Sequence, residues 1–86
     1  MAGYLVRIAL PDRPGALGLV ASRIGAVGGD IIAINILQRD DSRAVDEFVI
    51  ELGGEHLVEL LRSEIHEVDG AEVLDVHPVD ATSTAG

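Results

Sequence analysis

The order in which two hydrophobic periodicities follow one another constrains the fold of this sequence more than any other feature. Apolar residues alternate over residues 4–10, which indicates a strand with one buried face. They then recur three and four positions apart over residues 17–27, which indicates an amphipathic helix. The same two patterns continue as strands at 31–39 and 44–52, a helix at 57–68 and a strand at 71–79. The predicted order is therefore β-α-β-β-α-β.

This order predicts an α+β fold. Right-handed crossovers arrange it as a four-stranded antiparallel sheet with two helices on one face, the ferredoxin-like arrangement. We expect one domain over residues 1–79 and a disordered tail over residues 80–86, which are small and polar. A core of this size is only marginally stabilising, so association with a second copy would help.

The second predicted strand is apolar on both faces. One face carries Ile32, Ile34 and Ile36, and the other carries Ile31, Ala33, Asn35 and Leu37. A strand of this kind is expected to be covered on both faces. We also expect Leu5, Ala33 and Leu37 to lie on the sheet face opposite the helices, which predicts a second layer there.

A hairpin is predicted to join the second and third strands. Residues 40–43, Asp-Asp-Ser-Arg, have the composition of a turn. Alternation along the third strand places Phe48, Ile50 and Leu52 inward and Glu47 and Glu51 outward.

Charge and composition exclude several classes of function. The net charge is −9, and the difference between the halves is large: residues 1–40 carry +1 and residues 41–86 carry −10. So acidic a surface repels nucleic acid and anionic membranes, and we expect neither as a partner. No cysteine is present and we find no signal peptide, so we expect a cytoplasmic protein.

No group of residues indicates catalysis, a cofactor or a metal site. His56, His66 and His77 are ten and eleven positions apart and form no ligand motif. The sequence has no nucleophile elbow and no glycine-rich phosphate loop. We therefore expect a protein that is not an enzyme and needs no cofactor.

Two further segments resemble a known family. Residues 10–17, Leu-Pro-Asp-Arg-Pro-Gly-Ala-Leu, connect the first strand to the first helix, and residues 28–36, Gly-Gly-Asp-Ile-Ile-Ala-Ile-Asn-Ile, lead into the second strand. Together with the predicted order of elements they resemble an ACT domain over residues 4–79. The resemblance implies a regulatory module that commonly binds an amino acid and works as a homodimer or larger assembly.

The turn suits a small zwitterionic ligand on physical grounds. Pro14 is suited to the first position of a helix, and Gly15 permits the close approach of a ligand. The N–H groups of residues 15–17 would face an α-carboxylate at the positive end of the helix dipole, and Asp12 or Asp30 could accept from an α-ammonium.

The resemblance implies a ligand between this turn and the start of the second strand, often that of a neighbouring subunit. The implied site residues are Asp12, Arg13, Gly15, Ala16, Leu17, Asp30, Ile31 and Ile32. Two alternatives remain open. Asp12 could be only the N-cap of the helix, and the domain could be a pure oligomerisation module without a ligand, since Leu10 and Pro11 stand where some relatives have a polar side chain.

Overall fold

The computed structural model describes residues 2–40 and 42–79 and has the predicted order of elements. Four strands, β1 (Ala2–Pro11), β2 (Asp30–Arg39), β3 (Arg43–Leu52) and β4 (Glu72–Val79), form one antiparallel sheet in the order β2-β3-β1-β4. The helices are α1 (Ala16–Ala26) and α2 (Val58–His66), and a 3₁₀ turn (Glu55–Leu57) precedes α2. The ferredoxin-like fold class is confirmed. The expected tail, residues 80–86, lies outside the described residues.

The core lies between one face of β1 and β3 and the two helices. Alternate residues of β1 and β3 point into it, as the period of two predicts, and Val6, Ile8 and Phe48 are fully buried. Val20 and Ile24 of α1 and Leu61 and Ile65 of α2 are equally buried. The helices therefore pack mainly against the two central strands, and they cover the edge strands less.

Helix α1 ends at two glycines. The N–H of Gly28 donates to the carbonyl of Gly25 at 3.0 Å, and the N–H of Gly29 donates to the carbonyl of Ile24 at 3.0 Å. This is the Schellman pattern, which satisfies the last carbonyls of a helix. The prediction that these glycines end the helix is confirmed.

Within this chain, strand β2 is not covered on both faces. It is an edge strand, and Ile32, Ile36 and Leu37 are 54, 59 and 49% exposed. Strict alternation was wrong. Ile31 pairs with Ile50 and Ile34 pairs with Phe48, so Ile31 and Ile34 share the helix face, while Ile32 and Leu37 lie at register shifts.

The sheet face opposite the helices is only partly apolar. Leu5 and Ala33 both pair with Val49, as predicted for that face, but Leu37 lies at a register shift. In the neighbouring row Arg7 contacts Glu47 at 3.2 Å and Asp75 at 4.0 Å. A face with a charged row of this kind is typical of an antiparallel sheet exposed to water. The apolar stripe that led us to expect a second layer is therefore interrupted.

The predicted hairpin between β2 and β3 depends on Asp40. Its Oδ1 accepts from the N–H groups of Ser42 at 3.0 Å and Arg43 at 2.8 Å. These two backbone hydrogen bonds, and more weakly the Arg43 charge, hold the pKa of Asp40 below its ordinary value.

Replacing Asp40 by alanine is expected to lower the midpoint of thermal unfolding at neutral pH, because both N–H groups lose their acceptor. A carboxyl group whose pKa is lowered in the folded state stabilises the fold at pH above the ordinary aspartate pKa. This stability is lost as the pH falls through the lowered pKa. The difference between the parent and Asp40→Ala should therefore shrink at acid pH. Asp40→Asn, which keeps the acceptor oxygen, is the control, and an equal loss in both variants would contradict the assignment.

Candidate functional site

The turn between β1 and α1 has a defined geometry. Gly15 is the residue before the helix and has φ +87°, a left-handed conformation that glycine adopts at least cost. The helix begins at Ala16, so the expected place of Pro14 at the first helical position is wrong by two residues. The N–H of Asp12 donates to the carbonyl of Ser42 at 3.0 Å. The turn is thereby attached to the β2–β3 hairpin.

Asp12 is an ion-pair partner and does not cap the helix. Its Oδ1 and Oδ2 accept from Nη2 of Arg39 at 3.0 and 3.2 Å, and no side chain caps α1 in the described residues. The N-cap alternative is therefore wrong. Because the pair is partly exposed, its own contribution to stability is about 0–1 kcal/mol. Its main effect is to hold the turn against the end of β2.

Ala16 is unsuited to contact a ligand. Its N–H donates to the carbonyl of Arg13 at 3.3 Å, and its side chain is 1% exposed. The predicted row of three outward N–H groups is therefore incomplete.

A cavity of about 220 Å³ lies beside this turn, between β1, α1 and the hairpin ends of β2 and β3. Of the predicted site residues, the structure brings Asp12, Arg13 and Leu17 to its wall. The apolar part of the wall consists of Leu10, Pro11, Leu17, Ile36 and Ala44. Leu10 and Pro11, upstream of the turn, thus belong to the apolar part of the wall.

The polar part of the wall contains charges of both signs: Asp12, Arg13, Arg39 and Asp46. Arg39 pairs with Asp12, and Nη2 of Arg13 donates to the carbonyl of Asp69 at 3.3 Å. A wall with carboxylates, guanidiniums and apolar side chains is complementary to a small molecule that has both charges and an apolar group.

Asp46 is the member of this group that was not predicted from the sequence. It is 3% exposed, and no donor from the described residues reaches its Oδ1. Burial raises the pKa of Asp46, the Arg39 charge opposes that effect, and the Asp12 charge adds to it. The signal was present in the sequence: alternation along β3 that places Phe48 and Ile50 inward also places residue 46 inward, and a carboxylate on an apolar face is unusual.

The other predicted half of the site lies elsewhere in the same chain. Asp30 pairs with Glu51, whereas Arg39 pairs with Ala44 at the opposite end of β3. Ten residues of strand separate these ends by about 30 Å. Within one chain, the segment of Asp30, Ile31 and Ile32 therefore does not meet the turn.

The described residues provide neither a metal site nor a membrane-spanning helix. Within residues 2–40 and 42–79, no three histidine, aspartate or glutamate side chains are arranged to hold a metal ion. No helix in the described part of the chain is long and apolar enough to cross a membrane.

Comparison with known proteins gives the fold. No family model matches the sequence, and no curated protein matches it significantly. Among solved structures, the ACT domain from GTP pyrophosphokinase of Chlorobium tepidum has a TM-score of 0.67 and 18% identity, over 92% of this chain and 100% of that one. The uncharacterized protein TM1266 from Thermotoga maritima has a TM-score of 0.66 and 19% identity, over 91% and 96%.

A third similar structure is GqqA, described as a novel type of quorum quenching acylase. Its TM-score is 0.65 at 16% identity, and the match covers 96% of this chain but only 31% of GqqA. These identities are low, so the likeness concerns the fold. The order of elements, the sheet topology and the likeness to the GTP pyrophosphokinase domain agree: this chain has the fold of an ACT domain.

Proposed function

We propose that this domain is a regulatory, non-catalytic module that binds an amino acid and acts as a dimer or higher oligomer. The observation that supports it is the cavity beside the turn, where charges of both signs surround an apolar wall. An α-amino acid has the same combination of groups. At about 220 Å³ the cavity is smaller than the roughly 300–1,000 Å³ of pockets for drug-sized ligands, which favours a small metabolite.

A dimer would bring the two halves of the predicted site together. If two copies pair antiparallel along β2, the start of one β2 lies beside the end of the other. For a ten-residue strand paired about its centre, Asp30 of one copy lies opposite Arg39 of the other. The segment of Asp30, Ile31 and Ile32 would then come near the turn of a neighbouring subunit, and its side chains could complete the ligand site.

A second candidate function is oligomerisation without a ligand, and the exposed edge of β2 favours it. In the described part of the chain β2 pairs only with β3, so the polar groups along its other edge are available to a further strand. Between its charged ends, Asp30 and Arg39, the strand contains no charged residue and no proline, so its two register shifts are the protection that remains there. The two functions are compatible, because a ligand can bind near a subunit interface.

The proposal predicts that at least one of the twenty amino acids stabilises the folded domain. A ligand at 100 times its dissociation constant should raise the midpoint of thermal unfolding by about 10 °C or more in a domain of this size. Differential scanning fluorimetry followed by calorimetry would measure this.

Asp12→Ala should remove most of the response while the protein stays folded, because the turn would lose its bond to Arg39 and the cavity one of its carboxylates. Glu55→Ala, at the start of the 3₁₀ turn, is the control and should respond as the parent does. If no amino acid stabilises a folded preparation, amino-acid binding is wrong, and a stable dimer in that preparation would favour the second candidate.

A further inference from the structure

One side chain in the cavity wall, Asp46, has a buried oxygen without a hydrogen-bond donor within residues 2–40 and 42–79. Asp12 accepts from Arg39, and Arg13 donates to the carbonyl of Asp69, so these three side chains already have partners. Asp46 differs, because its Oδ1 is buried and no donor of the described residues reaches it. A buried carboxylate oxygen without a donor is costly, and a ligand that supplies one removes this cost.

We propose that Asp46 selects ligands with a primary ammonium group, which donates to its Oδ1, so that the cavity binds small apolar amines and α-amino acids and excludes the corresponding carboxylic acids. The inference concerns the same cavity as the proposed function and rests on its being a ligand site. An ammonium group carries three donors and a full positive charge, which suits a carboxylate better than a neutral donor does.

Asp46 lies between an apolar part and a charged part of the cavity wall. On β3 it lies opposite Ile8 of β1 and Ile36 of β2, so both neighbouring strands place apolar residues beside it. α1 contributes Leu17 to the cavity. The facing charges are those of Arg39 from β2 and of Asp12 and Arg13 from the turn. If the ammonium of an amino acid binds Asp46, its α-carboxylate would face these guanidiniums. Its aliphatic side chain would then lie against the apolar wall.

Binding of this kind is linked to protons. Because burial raises the pKa of Asp46, the empty domain keeps the proton on this carboxyl to a higher pH than an ordinary aspartate does. An ammonium binds the ionised form, so its affinity should rise with pH up to the raised pKa of Asp46 and level off above it. Below that pKa, binding should release a proton from Asp46.

Three probes of similar shape test the selectivity: L-leucine, 3-methylbutylamine, which lacks the carboxylate, and 4-methylpentanoate, which lacks the ammonium. Calorimetry on the complete chain should show binding of leucine and of the amine and none of the acid. Asp46→Asn should weaken both interactions by about 10- to 100-fold and abolish their pH dependence. Glu51→Gln removes a carboxylate from the opposite face of the same strand and should leave both affinities unchanged.

Each outcome decides the proposal. If 4-methylpentanoate binds as tightly as leucine, or if Asp46→Asn binds leucine as the parent does, Asp46 is not the selecting group, although the proposed function stands. If the amine binds and no amino acid does, amino-acid binding is wrong and the ammonium selectivity is supported. Binding of neither ammonium probe overturns the inference. The three probes test the parent protein even if Asp46→Asn does not fold.

Discussion

Replacing Ile34 by lysine is expected to dissociate the dimer that we propose to form along β2. Ile34 is 38% exposed, near the centre of the strand, so antiparallel pairing would bring the two introduced ammonium groups close to the symmetry axis. Like charges at such a position cost about 3 kcal/mol, which weakens dimerisation by about 100-fold. Sedimentation velocity over a concentration series would measure the change in the dissociation constant.

The other edge of the sheet supplies the control. Leu74 of β4 is 45% exposed, and Leu74→Lys introduces the same charge on an edge strand that the proposal does not use. This variant should associate as the parent does. A parent protein that is monomeric at every concentration, or an equal effect of both substitutions, would contradict pairing through β2.

Replacing Gly29 by alanine is expected to destabilise the fold strongly, because the end of α1 leaves no room for a side chain. A Cβ atom at this position would lie 2.7 Å from Cγ2 of Ile24 and 2.9 Å from its carbonyl oxygen. The carbonyl belongs to the end of α1 and already accepts from Gly29, so it cannot move away without disrupting the helix end. We expect a loss of about 2–3 kcal/mol in the free energy of unfolding, measured by urea denaturation.

Gly25→Ala is the matched control. Gly25 lies within α1, and outside the neighbouring residues and backbone of the helix no described atom lies within 4 Å of a Cβ built there. Alanine should therefore stabilise the helix by about 0.5–1 kcal/mol. If the free energy of unfolding falls for Gly29→Ala and rises for Gly25→Ala, four residues away, the effect of close packing is distinguished from that of helix propensity. Equal changes in the two variants would show that the close contact at Gly29 relaxes at little cost.

Much of the fold could be predicted because the hydrophobic period and the composition of the turns indicated the same element boundaries. Val6 and Ile8 of β1, and Val20 and Ile24 of α1, follow their periods and are buried. Strand β2 was predicted less well. Its continuous apolar pattern does not reveal where the strand shifts register, and a pattern of this kind is the same whether the covering surface belongs to this chain or to a second one.

The candidate site was predicted in part. The turn could be located from its proline and glycine, since both have strong local preferences. The partner of Asp12 could not, because the Asp12–Arg39 bond joins residues 27 positions apart and depends on how the hairpin meets the turn. Asp46 could have been found by following the inward positions of β3 one step further toward the hairpin.

Arg39 belongs to two surfaces at once. It is the last residue of the exposed edge strand, and it also lies in the cavity wall, where it binds Asp12. A ligand that moves this guanidinium therefore alters the edge on which a second copy would pair. Under the proposed function, ligand binding and self-association are then thermodynamically linked, and each must change the equilibrium of the other by the same factor. Measured at fixed ligand concentrations, the strength of self-association would therefore report how much of the cavity is occupied.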